Sequence, residues 1–333
     1  MKEVIIGKND AGQRLDRYLG KALPLLPAPL AQKYIRIKRV KLNGKGAKRD
    51  TRLGVGDVLH LYINDEFFQT PSQENAFLSV FKPQLEIVYE DENLLLVNKP
   101  AGLVVHPDET ERIHTLITHI QAYLYQKKEW SPYWENSFAP ALCNRIDRNT
   151  SGIVIAAKNA ETLRILNQKI RDREVEKRYL CLVLGTMAPA DGTLEGFLSK
   201  DEEKKQVTVH HRPVAGGRTA VTHYKTLAKG GGLSLIECRL VTGRTHQIRA
   251  QFSAAGHPLL GDGKYGRQRD NKAFGRAHQA LCSYYLAFHF TSDAGILESL
   301  NGRSWQLETV DFVQEYFPQK AAVLFPHGTM ASP

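Results

Sequence analysis

Apolar positions recur in two rhythms along the chain, and the rhythm changes near residue 85. In "QRLDRYLGKALPLL", Leu15, Tyr18, Leu19, Ala22 and Leu23 fall at helical spacing on one face. "AQKYIRIKRVKLNGK" begins as a second short helix, turns extended at Val40 and Leu42, and closes with a tight turn at Asn43-Gly44. In "LGVGDVLHLYI", Gly56-Asp57 marks a turn and Leu59, Leu61 and Ile63 share one face of a strand. The pattern predicts a small α/β unit over residues 1–64. Residues 65–83 have weak periodicity and read as a linker.

From Leu85 strand-like runs dominate. "LEIVYEDENLLLVNKPAGLVVHP" holds two of them around an acidic turn, and "KRYLCLVLG", "TAVTHYKTL" and "LSLIECRLV" alternate as strands. Asn159 fits the N-cap of a helix whose apolar face is Leu163, Leu166 and Ile170. "RTHQIRAQFSAAG" reads as a helix stopped by Gly256, followed by a turn-rich "HPLLGDGKYG". Strands outnumber helices, which predicts an α+β body over residues 84–318, built on a mixed or antiparallel sheet, with a loose tail at 319–333.

Composition narrows the class. Of 333 residues, 42% are hydrophobic, ordinary for a folded protein. The longest apolar runs, at 94–97 and 153–157, are too short to span a bilayer, and "MKEVIIGKND" turns polar too early for a signal peptide. Cys143, Cys181, Cys238 and Cys282 form no C-x-x-C pair, against a zinc knuckle or a disulfide framework. A cytoplasmic protein without membrane partners is expected.

Charge adds a partner. Residues 1–64 hold 14 Lys/Arg and 5 Asp/Glu, a net of +9, while the rest hold 31 and 30, a net of +1. Nine basic residues and one acid lie between Lys33 and Arg52. A solvated surface is the ordinary explanation of a charge run, but this asymmetry favours a polyanion-binding appendage, with nucleic acid as its target. Arg36, Lys38, Arg39 and Lys41 are the candidate contacts.

For chemistry, the chain shows no Walker P-loop, no G-x-G-x-x-G after a strand, no H-E-x-x-H and no G-x-S-x-G. No metal and no cofactor is expected. Three concentrations remain. Asp147 stands between Arg145 and Arg148 in a loop that enters the apolar run "IVIAA", where neighbouring guanidinium groups favour the charged carboxylate. "TGRTHQIR" carries Arg244, His246 and Arg249, with Arg249 on the predicted helix and Arg244 at the turn. Tyr179 lies in a strand after Lys177 and Arg178. Each also has a plain reading as a loop acid, a solvated arginine or a half-buried aromatic.

Four stretches together resemble the RluA-type pseudouridine synthases. "VNKPAGLVVHP" is similar to the first motif of that family, "RIDRNTSGIVIAAK" to the central one, "EKRYLCLVLG" to the strand bearing its tyrosine, and "TGRTHQIRAQFSAAGHPLLGD" to the last. They occur in the family's order. The N-terminal "IRIKRVKLNGK…GDVLHLYI" resembles an S-four type RNA-binding domain. The resemblance implies an RNA-modifying isomerase acting mainly on large-subunit ribosomal RNA, with transfer RNA as a second possibility and no obligate protein partner, working as a monomer. It implies roles for Asp147 as the catalytic carboxylate, Arg249 as its partner, Tyr179 as the residue stacking on the target base, and Arg145 as the side chain filling the space of the flipped nucleotide. Lys99 and Arg244 are further substrate-binding candidates. The family usually has His where Asn144 and Cys282 stand. A non-catalytic RNA-binding factor on the same fold is the rival reading; a nucleoside-cleaving hydrolase is weaker, because no second carboxylate of the kind it needs stands out.

Overall fold

The computed structural model describes residues 1–68, 72–201, 203, 206–266 and 268–326. The N-terminal part closes around a core of its own. Helices α1 (Leu15–Ala22) and α2 (Ala28–Arg36) pair with a four-stranded antiparallel sheet of β1 (Lys2–Ile5), β2 (Val40–Leu42), β3 (Lys45–Gly46) and β4 (Val58–Leu61), in the order β1-β4-β2-β3. Leu15, Tyr18 and Leu19 meet Tyr34, Ile35, Val40, Leu59 and Leu61 in that core. Helix α2 starts three residues before the spacing predicts, because Pro29 fits the first turn, where its missing N–H costs nothing. Asn43 and Gly44 both take positive φ (49° and 76°), the geometry of a two-residue hairpin turn. Strand β1 is mostly exposed, so no burial pattern announces it in the sequence.

The larger part is built on one mixed sheet. Its strands are β5 (Glu86–Glu90), β6 (Leu94–Lys99), β7 (Ala141–Leu142), β8 (Ser151–Ala157), β9 (Val175–Leu184), β10 (Asp191–Asp201), β11 (Gln206–His210), β12 (Arg218–Gly230), β13 (Leu233–Leu240), β14 (Leu281–Phe288) and β15 (Ser304–Gln306). They run in the order β11-β10-β12-β13-β9-β14-β8-β6-β5, with β15 on β14 and β7 on β8. Only the β8–β14 pair is parallel among the described residues. Helices α3 (Leu116–Gln126), α4 (Ala160–Arg171), α5 (Gln247–Ala254), α6 (Gln268–Ala273), α7 (Asp311–Tyr316) and α8 (Pro318–Leu324) complete an α+β body.

The sheet separates two cores. Leu95, Val97, Val154 and Ala156 point into one, and Leu94, Leu96, Ile153 and Ile155 into the other. Burial on both faces explains why these strands read as unbroken apolar runs instead of alternating ones. None of the helices among the described residues is long and apolar enough to cross a membrane.

Two expected boundaries are corrected. The segment 65–83 is not a free spacer: Phe77 and Val80 are buried in the body's core, and the Phe77 ring meets Tyr125 and Trp130 edge-on, each at 5.2 Å. Its elements are 3₁₀ turns (Asp65–Phe68 and Ser72–Ser79), which leave no 3.6-residue period to detect. The tail from residue 319 is also not loose, since Ala321 of α8 and Phe325 just after it are buried in the same core as Phe312 and Val313. A helix of two turns is too short to show a periodic face. Residues 69–71 and 327–333 of these segments lie outside the described residues.

The N-terminal part touches the body through Asp10, which is 1% exposed. Its carboxylate accepts from Ser137 Oγ at 2.6 Å and Asn136 Nδ2 at 2.8 Å. Asn9 adds bonds to Glu135 and to the first N–H of α4.

Candidate active site

Strand register brings Tyr179 and the Asp147 loop to one level of the sheet. Ser283 in β14 lies opposite Tyr179 of β9 on one side and Gly152 of β8 on the other. Asp147 precedes β8 in a turn closed by the Thr150 N–H donating to the Asp147 carbonyl at 3.0 Å. Gly152 has φ 116°, and a Cβ there would stand 2.2 Å from the Ser283 carbonyl oxygen. Only glycine lets β8 and β14 approach so closely.

The same loop is bolted from behind by Lys99. Its ammonium donates to the carbonyls of Pro100 (2.8 Å), Leu103 (2.9 Å) and Arg148 (2.8 Å), and the side chain is fully buried. Arg148 and Gly102 exchange two further bonds, one from the Gly102 N–H and one from Arg148 Nε. This corrects the reading of Lys99 as a substrate contact. All three donors of the ammonium are used on backbone oxygens, so none is offered to a ligand. Burial pushes the Lys99 ammonium down to about 7, although three carbonyl partners can be served only by three N–H bonds, which the charged form alone possesses.

Facing the loop is α5. Two buried glutamines one turn apart fasten it to β12. Gln247 Nε2 donates to the Val221 carbonyl and Thr222 Oγ1; Gln251 Nε2 donates to the carbonyls of Leu194 and Ala220 and its Oε1 accepts from Thr222. Arg249 lies between them in sequence and so on the opposite side of the helix. Its Nη1 donates to Asp147 Oδ2 at 2.7 Å. Its Nε and Nη2 grip Asp262 at 2.7 and 2.9 Å, and Asp262 has no exposed side-chain surface. Burial opposes the Arg249 charge, but the bonds to Asp262 and Asp147 outweigh it and raise its pKa. Burial likewise works against the Asp262 charge, and Arg249 with the Lys264 and Tyr265 N–H groups brings its carboxyl below the usual range.

Tyr179 is 7% exposed. Burial pushes its hydroxyl up to about 12, with the Asp147 charge adding to the effect, so the phenol keeps its proton at neutral pH. The site therefore offers a carboxylate tied on one oxygen, a neutral aromatic, and a guanidinium held in fixed orientation.

The structure brings Asp147, Tyr179 and Arg249 together. Arg145 is exposed on the same loop as Asp147. Arg148 does not neutralise Asp147 as sequence proximity suggests; it binds the Gly102 carbonyl and Thr110. Arg244 stands at the turn before α5 and donates to the Thr219 carbonyl. Asn144 bonds backbone, accepting from the Ile155 N–H at 2.8 Å, and Cys282 is buried in β14. In the N-terminal part, Arg36 and Lys38 line a cleft of about 670 Å³ together with Lys33, Lys48 and Arg49. Arg39 and Lys41 instead stand over the rings of Tyr34 and Tyr62. Lys33, Lys48 and Arg49 belong to the same basic run but were not singled out by spacing. Asp262 was missed because an acid in a glycine-rich turn carries no mark of burial.

Residues 93–254 match the family model described as RNA pseudouridylate synthase. An uncharacterized RNA pseudouridine synthase of Mycoplasma genitalium is 34% identical over 85% of this chain and 88% of its own length. The ribosomal large subunit pseudouridine synthase D of Neisseria meningitidis serogroup A is 34% identical over 84% of this chain and 72% of its own. Human RNA Pseudouridylate Synthase Domain Containing 1 shares the fold at a TM-score of 0.51 and 20% identity, covering 74% of this chain and 96% of that one. The chain belongs to the RNA pseudouridine synthase family, of RluA type, and is an isomerase that converts uridine in RNA to pseudouridine.

Proposed function

We propose that the chain isomerises specific uridines of large-subunit ribosomal RNA, with Asp147 as the reacting carboxylate and residues 1–64 as an S-four type module that docks the RNA. The observation that carries this reading is the anchored array Asp262–Arg249–Asp147 beside Tyr179. The ribosomal target is supported by the relatives named for the large subunit and by the basic cleft of the N-terminal part.

The reaction breaks the N1–C1′ bond, turns the uracil in place, joins C5 to C1′ and moves one proton from C5. The target nucleotide first leaves its stack, at about a few kcal/mol that pocket contacts recover, and the exposed Arg145 takes up the vacated space. Asp147 serves either by attack on C1′ or by removal of the 2′ proton; both routes need one carboxylate oxygen held against the sugar. Arg249 supplies that hold before the substrate arrives, which is electrostatic preorganisation. Tyr179, as a neutral phenol, stacks on the base and takes no proton; the C5 proton leaves to water, and N1 gains one from water in exchange. The protein works as a cytoplasmic monomer in this reading.

The test is to map pseudouridines in ribosomal and transfer RNA from cells with and without the gene. Loss of discrete positions from large-subunit RNA is expected. Losses confined to transfer RNA would contradict the proposed target.

A further inference from the structure

We propose that His246 is a positioning residue for this reaction: with Arg249 it holds Oδ2 of Asp147, leaving Oδ1 as the oxygen that meets the sugar. The proposal rests on Asp147 being the reacting carboxylate. His246 directly precedes α5 at φ 52° and ψ 20°, in the left-handed region that side chains with a Cβ avoid. Its side chain makes no capping bond to the helix, so helix initiation does not account for that conformation. With the backbone so set, Nε2 lies 3.8 Å from Asp147 Oδ2, the same oxygen that Arg249 reaches at 2.7 Å. The Arg249 hydrogen bond to this carboxylate and the facing His246 nitrogen both fall on Oδ2.

The tautomer of His246 follows from its neighbours. The Val207 N–H, on edge strand β11, donates to the Tyr265 hydroxyl oxygen at 2.8 Å. The single hydroxyl proton of Tyr265 is then left to donate to His246 Nδ1, also at 2.8 Å. Nδ1 is the acceptor, so the neutral ring carries its proton on Nε2, the nitrogen that faces Asp147. Burial favours this state in both rings: it lowers the imidazole pKa and raises that of the phenol. Asp147 and Asp262 pull the imidazole upward while Arg249 and Lys264 press it down, and burial is the largest effect. The Tyr265 ring also lies over the Arg249 guanidinium at 5.2 Å, which keeps both Asp147 partners in one packed unit. The distance of 3.8 Å exceeds a hydrogen bond, and the role given to His246 requires it to shorten to one when RNA is bound.

The experiment compares single-turnover rates and RNA affinities of the full chain and its variants on a ribosomal RNA transcript carrying the modified uridine. Asn is at home in the left-handed region but too short to reach Asp147, whereas Gln sets an N–H near the place of Nε2. His246→Asn is expected to slow the step roughly 10- to 100-fold, the worth of one hydrogen bond to a charged group, with affinity unchanged. His246→Gln should recover most of that loss. Tyr265→Phe should slow the His246 protein and lose its effect in the His246→Gln background, where no tautomer needs fixing. If His246→Asn is as fast as His246→Gln, or if both variants lose affinity instead of rate, His246 does not position the carboxylate. Asp147→Asn is run alongside. An active Asp147→Asn protein overturns the reading of the site itself, whereas an inactive one beside a fast His246→Asn overturns only the role given to His246.

Discussion

Arg249 and Asp147 are joined at 2.7 Å across 102 residues of sequence, while the other two arms of the guanidinium hold the fully buried Asp262. One planar group thus spans two acids, which a point-charge ammonium cannot do. Asp262→Ala leaves a buried guanidinium half paired, and about 3–5 kcal/mol of stability is expected to go with it. Urea denaturation measures this. A loss below about 1 kcal/mol, the worth of a surface pair, would contradict the anchoring role. Arg249→Lys should abolish turnover while the protein stays folded.

Lys99 sets a second expectation. Lys99→Met removes the bolt from the carbonyls of Pro100, Leu103 and Arg148, so the Asp147 loop loosens. Turnover and thermal stability should fall while RNA affinity and its salt dependence stay as in the wild type. If Lys99 bound phosphate instead, the slope of log affinity against log salt would shrink by about 1.

Gly152→Ala tests the packing of the parallel strand pair. The new methyl meets the Ser283 backbone at 2.2 Å, in a conformation with φ 116°. Backbone on both sides cannot yield as a side chain can, so a loss above about 3 kcal/mol, or insoluble protein, is expected. A variant of near wild-type melting temperature would mean that β8 and β14 part readily.

Tyr179 gives the pH dependence. Its hydroxyl, buried and raised to about 12, keeps its proton where a free tyrosine near 10 loses it. The single-turnover rate should therefore show no rise from phenolate formation between about pH 7 and 10. A raised pKa also means that the folded state holds this proton more tightly than the unfolded chain. The stability so contributed is present below about pH 10 and lost as pH climbs through about 12. Denaturation of Tyr179→Phe against wild type over that range reads the difference, and a parallel course of the two would contradict the burial of the hydroxyl.

The N-terminal cleft is tested by charge. Lys33, Arg36, Lys48 and Arg49 line it and are exposed. Each change to Ala should weaken RNA binding and reduce the salt slope by about 1, with the rate at saturating RNA unchanged. Arg39 and Lys41, drawn over Tyr34 and Tyr62, should matter less. Equal effects at all six positions would show that general charge, not the cleft, binds RNA.

How much of this was legible in the sequence depends on how local the cause is. The α1 face of Leu15, Tyr18 and Leu19, the turn at Asn43-Gly44 and the stop at Gly256 arise within a few residues, and all were readable. Asp147, Tyr179 and Arg249 were singled out by type and motif, but their meeting depends on the register of β8, β9 and β14 and on how α5 seats on β12. Lys99 was misread because a lysine is ordinarily exposed, and only three converging carbonyls from two loops make its burial tolerable. Asp262 was passed over for the same reason. Phe77 and α8 sit in segments without periodicity, where burial is decided by the surface they land on.

The central claim is that Asp147 carries the chemistry. Wild type and Asp147→Asn should be incubated with ribosomal RNA from a strain lacking the gene, and pseudouridine quantified by mass spectrometry beside a binding measurement on the same RNA. Conversion by the wild type and none by the variant, at equal affinity, is the predicted result; pseudouridine formed by the variant at the wild-type rate would contradict it.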